Sequence, residues 1–167
     1  MTKDKLDGIE KTLEKQSKKV PQLSKGTQKG FAQALPWLSG AFGVLALVWA
    51  KDFWDAVRAL DKVNDAVGAL GEYINVAVGI SEFDLWMGVI LYVGIGALVG
   101  YAFYKGLLSM SRTGWSFMFY AFLLATITGL LFLFILSDVD SGRGFWTLAV
   151  GLAGLYLSFQ VKSQFNK

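Results

Sequence analysis
The side chains that could do chemistry lie between the apolar stretches of this sequence, not within them. Asp138, Asp140 and Arg143 share the short segment SDVDSGR. Its D-V-D-S-G string is reminiscent of a metal loop, but the third oxygen position and closing Glu of an EF-hand are missing. Asp, Ser and Gly are also ordinary turn formers, and a turn is the favoured reading. A second group, Lys105, Ser109, Ser111 and Arg112, makes a basic, hydroxyl-bearing turn. Lys105 and Arg112 are its possible lipid-phosphate contacts, although their main role is to set topology. Glu82 and Asp84, beside Trp86, read as a helix cap and interface residues instead of an acid pair.

Other chemistries are excluded by residue type. The chain has no His and no Cys. That removes disulfides, Fe–S clusters, Ser-His-Asp catalysis and His- or Cys-based metal sites. No P-loop, dinucleotide-binding or nucleophile motif occurs. The sequence therefore nominates no catalytic residue, no cofactor-binding residue and no metal ligand, and a non-enzymatic protein is expected.

The elements that must position these groups are membrane-like. Of 167 residues 54% are hydrophobic and 17% charged, against about 25% charged in a soluble domain. Mean hydropathy is +0.45. Four charge-free apolar runs, about 35–50, 85–104, 115–136 and 145–161, follow a basic tail. A spanning helix needs about 20 apolar residues to cross roughly 30 Å of hydrocarbon. The second and third runs meet that length, and the shorter two rely on local thinning or flanking residues. The expected fold is all-α: an integral membrane bundle of four transmembrane helices at 34–167, preceded by a basic cytoplasmic tail at 1–33.

Charge asymmetry sets the orientation. With the N-terminus cytoplasmic, the inner segments carry +8 and the outer ones −5, leaving the observed net charge of +3. This satisfies the positive-inside rule, so both termini are expected inside. Trp37, Trp49, Trp54, Trp86, Trp115 and Trp146 all fall within about a turn of a predicted boundary, as interface anchors do. Pro36 suits the first turn of a helix, Asp84 could cap the second span, and Ser141–Gly142 opens the turn before the fourth.

Two further segments show helical periodicity. Residues 51–75 place Phe53, Val57, Leu60, Val63, Val67, Leu70 and Ile74 on one stripe. This predicts an amphipathic extracytoplasmic helix between the first two spans, lying in the interface plane or packed on the bundle or a partner. Residues 66–80 are apolar enough to be re-entrant, with Glu72 counting against it. In the tail, Leu6, Ile9 and Leu13 share a face, and Asp7–Lys11 and Glu14–Lys18 are i,i+4 pairs. It reads as a solvated, frayed tail or an arm on anionic lipid. Its four acids and lack of aromatics argue against nucleic acid as a partner.

Helices in lipid associate through small residues that let backbones approach. The fourth run carries Gly144, Thr147, Gly151, Gly154 and Ser158 at helical spacing. The second has Gly88, Gly96 and Gly100, the last two forming a G-x-x-x-G that packs within the chain or forms a self-association face. No Asp, Glu, Lys or Arg lies inside any run, whereas proton-coupled transporters need an intramembrane titratable group. Tyr92, Tyr120, Thr126, Thr128 and Tyr156 are the deepest polar groups and read as interhelical hydrogen-bond partners.

Residues 105–124 (KGLLSMSRTGWSFMFYAFLL) and 154–162 (GLYLSFQVK) are similar to small bacterial polytopic membrane proteins. In these a basic cytoplasmic turn precedes Gly-Trp and a Phe-Tyr pair, here Gly114-Trp115 and Phe119-Tyr120. They close on an aromatic, basic ending, here Leu155 to Lys162. The resemblance covers the last two spans and implies a topology and the bacterial inner membrane, not an activity. The acidic segment 51–84 departs from that pattern.

The expectation is a multi-pass protein without a cofactor, whose partners are the lipid bilayer and a membrane complex or further copies of itself. Its role would be that of a structural or accessory subunit. The alternative is an oligomeric channel or holin-like protein, or an uncoupled carrier of a neutral solute.

Overall fold
The computed structural model describes residues 8, 12, 14, 15, 19–67 and 81–165. Every regular element among them is helical: α1 (Lys25–Val67), α2 (Glu82–Tyr104), α3 (Arg112–Phe134), α4 (Ser137–Val161) and a closing 3-10 turn (Lys162–Gln164). Each of the four α-helices is long and apolar enough to cross a membrane, as the apolar runs predict.

Short polar residues set the helix ends. Ser24 opens α1, its Oγ accepting the Thr27 N–H at 3.3 Å. Ser81 opens α2 in a capping box: Asp84 N–H donates to Ser81 Oγ at 3.1 Å and Ser81 N–H to the Asp84 carboxylate at 3.3 Å. Two orphan donors are satisfied reciprocally, so Asp84 caps from inside the first turn. Gly106, at φ +87°, stops α2. Gly106 N–H bonds Phe103 C=O at 3.1 Å and Leu107 N–H bonds Ala102 C=O at 3.0 Å, a Schellman stop. Ser111 then caps α3 through the Gly114 N–H at 3.0 Å.

Asp140 interrupts α4 with a non-helical backbone (φ −165°, ψ 80°). Its carboxylate accepts the Arg143 N–H at 2.8 Å and so recaps the helix after the break. The D-V-D-S-G segment thus acts as a tight helix-to-helix corner.

α1 departs from the sequence reading at both ends. It starts ten residues before the apolar run, because a helix needs a cap and helix-compatible residues, not apolar ones, and Ser24 supplies the cap. Pro36 therefore lies in the helix interior, not in its first turn. Residues 51–67 continue the same helix without a break, giving 43 residues and a length of about 65 Å. No Gly or Pro stands between Trp49 and Val67 to start a separate helix. The stripe of that extension turns inward first: Phe53 and Val57 are buried, Leu60 is half-buried and Val63 is exposed. Residues 68–80, which hold the rest of the predicted amphipathic helix and most of the candidate re-entrant stretch 66–80, lie outside the described residues, as do Leu6, Ile9, Leu13 and Lys18 of the tail.

The helices alternate in direction. α3 packs most extensively on α4, α1 on α2, and α2 on α3, while α1 meets α4 over a much shorter stretch. This is the up-down-up-down order of an antiparallel four-helix bundle. We call the end that carries the start of α1 and the end of α4 the terminal end and the opposite one the far end.

Candidate functional site
The bundle axis is filled by aromatic rings. Phe53 stacks on Tyr92 at 5.8 Å, and both meet Phe132, at 5.4 and 5.7 Å. Trp49 packs edge-on against Tyr92 at 5.4 Å. Within this apolar column Tyr92 Oη and Thr147 Oγ1 hydrogen-bond at 2.9 Å, both side chains buried. The pair joins α2 to α4 and satisfies both hydroxyls where water cannot.

At the far end of the column sits Arg143. Its guanidinium lies 5.3 Å from the Phe53 ring. It pairs with Asp140 at 2.9 Å and reaches Asp52 of α1 at 3.0 Å. One cation therefore holds the α4 corner and ties α4 to α1. Planar guanidinium chemistry suits both jobs, bonding carboxylates in its plane and stacking on an aromatic with its face. Of the candidate catalytic surface groups, Asp140 and Arg143 thus come together as a structural tie. Among the described residues no group of three or more metal-ligating side chains is assembled.

The terminal end centres on Trp115. It is fully buried, stacks on Phe119 at 5.5 Å and donates Nε1–H to Ser158 C=O at 2.9 Å. Arg112 lies 4.2 Å and Lys162 5.6 Å from its ring. Lys162 also pairs with Glu14 of the tail. Two further bonds hold the chain just before α1: Tyr156 Oη donates to Pro21 C=O at 2.8 Å, and Leu23 N–H donates to Gln160 Oε1 at 3.1 Å. The tail residues thus dock on the end of α4.

The predicted anchors separate into groups. Trp37 and Trp146 are 67% and 63% exposed. Trp54 and Trp86 meet edge-on at 5.1 Å, with Arg58 over Trp54 at 5.1 Å. Trp86 also donates to Glu82 at 3.2 Å. Trp49 is half-buried. Trp115 faces the protein: its N–H finds a backbone carbonyl of α4 where an interface anchor would use a headgroup.

Lys105 lies 5.2 and 5.1 Å from the rings of Tyr101 and Tyr104. Arg112 is part of the Trp115 group, one helical start away.

Small residues occupy the helix contacts. Gly144, Thr147, Gly151, Gly154 and Ser158 are all buried along one face of α4. A Cβ added at Gly154 would stand 2.2 Å from the Phe122 ring, and one at Gly151 would stand 2.6 Å from Thr126 N. The G-x-x-x-G divides. Gly96 meets Leu47 of α1 at 2.6 Å from an added Cβ, whereas Gly100 has nothing within 4 Å.

Several contacts have only weak signals in the sequence. Tyr92 is recognisable as a deep polar group, but its partner Thr147 lies 55 residues away. Thr126 bonds its own helix through Phe122 C=O at 2.9 Å, and Tyr120 packs against Phe117 and Phe119. The Arg143–Asp52 and Leu23–Gln160 contacts follow no local spacing. A comparison with protein-family models, curated proteins and solved structures finds no match to this chain.

Proposed function
We propose that this chain is a non-enzymatic, multi-pass protein of the bacterial inner membrane. It would act as a structural or accessory subunit that packs with a larger membrane complex or with itself. Both termini are cytoplasmic in this reading, on the strength of the Lys/Arg asymmetry. The observation that carries it is the filled axis. Phe53, Tyr92 and Phe132 occupy the centre of the bundle, and Tyr92 and Thr147 satisfy each other there. A bundle closed in this way does its work through its outer faces. Those faces carry large apolar side chains such as Val44, Ile90 and Leu152.

Gentle extraction from native membranes followed by mass determination tests the proposal. A stable assembly containing other subunits is the expected result. A homogeneous ring of this chain would favour the channel or holin-like alternative, and a lone monomer would count against both. Solute flux through reconstituted vesicles no faster than through protein-free ones is also expected. Orientation is checked separately. The chain has no native Cys, so Asp65→Cys and Ser163→Cys report alone. An impermeant maleimide applied from outside should label the first and not the second.

A further inference from the structure
Between α1 and α4 the bundle leaves an apolar groove of about 390 Å³, walled by Leu35, Leu38 and Leu45 on one side and Val150, Ala153 and Leu157 on the other. Its floor is Phe122 and Gly154. Polar ties between the same two helices lie beyond both ends of the groove. At the far end, Arg143 of α4 holds Asp52 of α1. At the terminal end, residues 21–24 pass from Tyr156 and Gln160 on α4 to the start of α1. The groove lies open along its side.

We propose that this groove is a slot for one acyl chain of a phospholipid in the leaflet on the terminal side. The inference rests on the reading of the four helices as membrane spans, since a sideways opening then faces hydrocarbon. Length selects the occupant. Leu35 to Leu45 covers about 15 Å of helix, half of a hydrocarbon layer about 30 Å thick. That matches one leaflet. A partner helix would follow the whole layer, about twice the length of this groove.

A second observation points to the head of the same molecule. Gln160 lies one turn beyond Leu157, just past the lining of the groove, and is only 4% exposed. Its Oε1 accepts the Leu23 N–H, but its Nε2 is buried without a partner. A buried amide donor left unpaired is costly. The ester carbonyl at the top of an acyl chain is an acceptor without charge, and it satisfies that donor.

The test uses the full chain in vesicles of phosphatidylethanolamine and phosphatidylglycerol containing a phospholipid with a diazirine in its acyl chain. Crosslinks are mapped by mass spectrometry. They should concentrate on Leu38, Ala153 and Leu157. Ala153 is exposed in the slot, so Ala153→Phe fills it without disturbing the interior and should cut slot labelling at least fivefold. Ile90→Phe, on an outward face of α2, should leave it unchanged. Gln160→Glu keeps the acceptor for Leu23 and removes the donor, and should lower lipid retention in native mass spectra at least threefold. Labelling spread evenly over Ile90 and Leu130, or slot labelling indifferent to Ala153→Phe, overturns the proposal. So does an Ala153→Cys variant that crosslinks to a second copy. Retention unchanged in Gln160→Glu overturns the carbonyl contact. Extraction of the chain by alkaline carbonate would instead defeat the membrane-spanning reading on which the slot rests.

Discussion

The two seams of α4 are built on opposite plans. Against α3 it presents Gly144, Gly151 and Gly154, and α3 answers with Gly129, so backbone approaches backbone at Gly129, Gly144 and Gly151 while the Phe122 ring fills the space over Gly154. A Cβ at Gly129 would stand 2.4 Å from Leu148 N. Against α1 the same helix makes no such approach. That seam is an apolar groove held by Arg143–Asp52 at one end and by the bonds of Pro21 and Leu23 at the other. Close packing holds the first seam continuously. Directional polar contacts hold the second at two points and leave the middle open to whatever surrounds it. In lipid, where apolar surfaces gain little by leaving the solvent, the first plan depends on dispersion and fit and the second on hydrogen bonds.

The comparison predicts where damage is greatest. Gly129→Ala puts a methyl against backbone, which cannot rotate away. It should cost about 3 kcal/mol, the upper end for overpacking, read as a lower midpoint in a detergent-denaturation series. A change under 0.5 kcal/mol would mean the α3–α4 seam is looser than its geometry. Arg143→Ala removes two carboxylate contacts and a ring contact at once. It should cost about 2 kcal/mol, part of that being Asp52 left unpaired at a partly exposed site, while Asp140 keeps the backbone N–H of residue 143. Asp52→Asn should reproduce less than half of it. In a cysteine pair placed at Leu38 and Ala153, crosslinking should fall in Arg143→Ala, because the tie that sets the seam spacing is gone. Tyr92→Phe removes one interhelical bond without creating a cavity. Thr147 can then bond a carbonyl of its own helix, so the loss should be about 0.6–1.7 kcal/mol.

The two seams also differ in how far the sequence reveals them. The α4 stripe is legible because small residues repeat at the period of the helix, and that period is a local property. The four apolar runs and the Asp84 cap are legible for the same reason, whereas the turn expected at Asp138–Gly142 is instead the start of α4, broken only at Asp140. The α1–α4 seam is not. Asp52 and Arg143 are separated by most of the chain, and each reads alone as an ordinary surface charge. Gln160 looks like a residue of a basic ending until Leu23 is brought to it. The start of α1 was hidden by the equation of helix with apolar run, and its continuation past Ala50 by the change from apolar to amphipathic character. Trp115 shows the limit of boundary statistics. Its place along the helix fits an interface anchor, but which way it faces depends on Ser158 C=O, a partner 43 residues on.

The finest test concerns Gly96 and Gly100, identical in type and four residues apart. Gly96 lies under α1, where an added Cβ would meet Leu47 at 2.6 Å. The atoms met first are Leu47 Cδ2 and Cγ, a half-exposed side chain and not backbone, so it can turn aside, and Gly96→Ala should cost about 1 kcal/mol. Gly100 is exposed at the edge of the α1–α2 groove, and an added Cβ there would have nothing within 4 Å. Gly100→Ala within this chain should therefore be neutral or gain up to about 1 kcal/mol from helix propensity. A loss at Gly100 as large as that at Gly96 would mean something outside this chain rests on it. It would make the outward half of the motif a contact with a neighbour, and the inward half alone would belong to the bundle. Measuring both substitutions at two protein-to-lipid ratios separates the cases, because a contact between copies weakens on dilution in the bilayer and a contact within one chain does not.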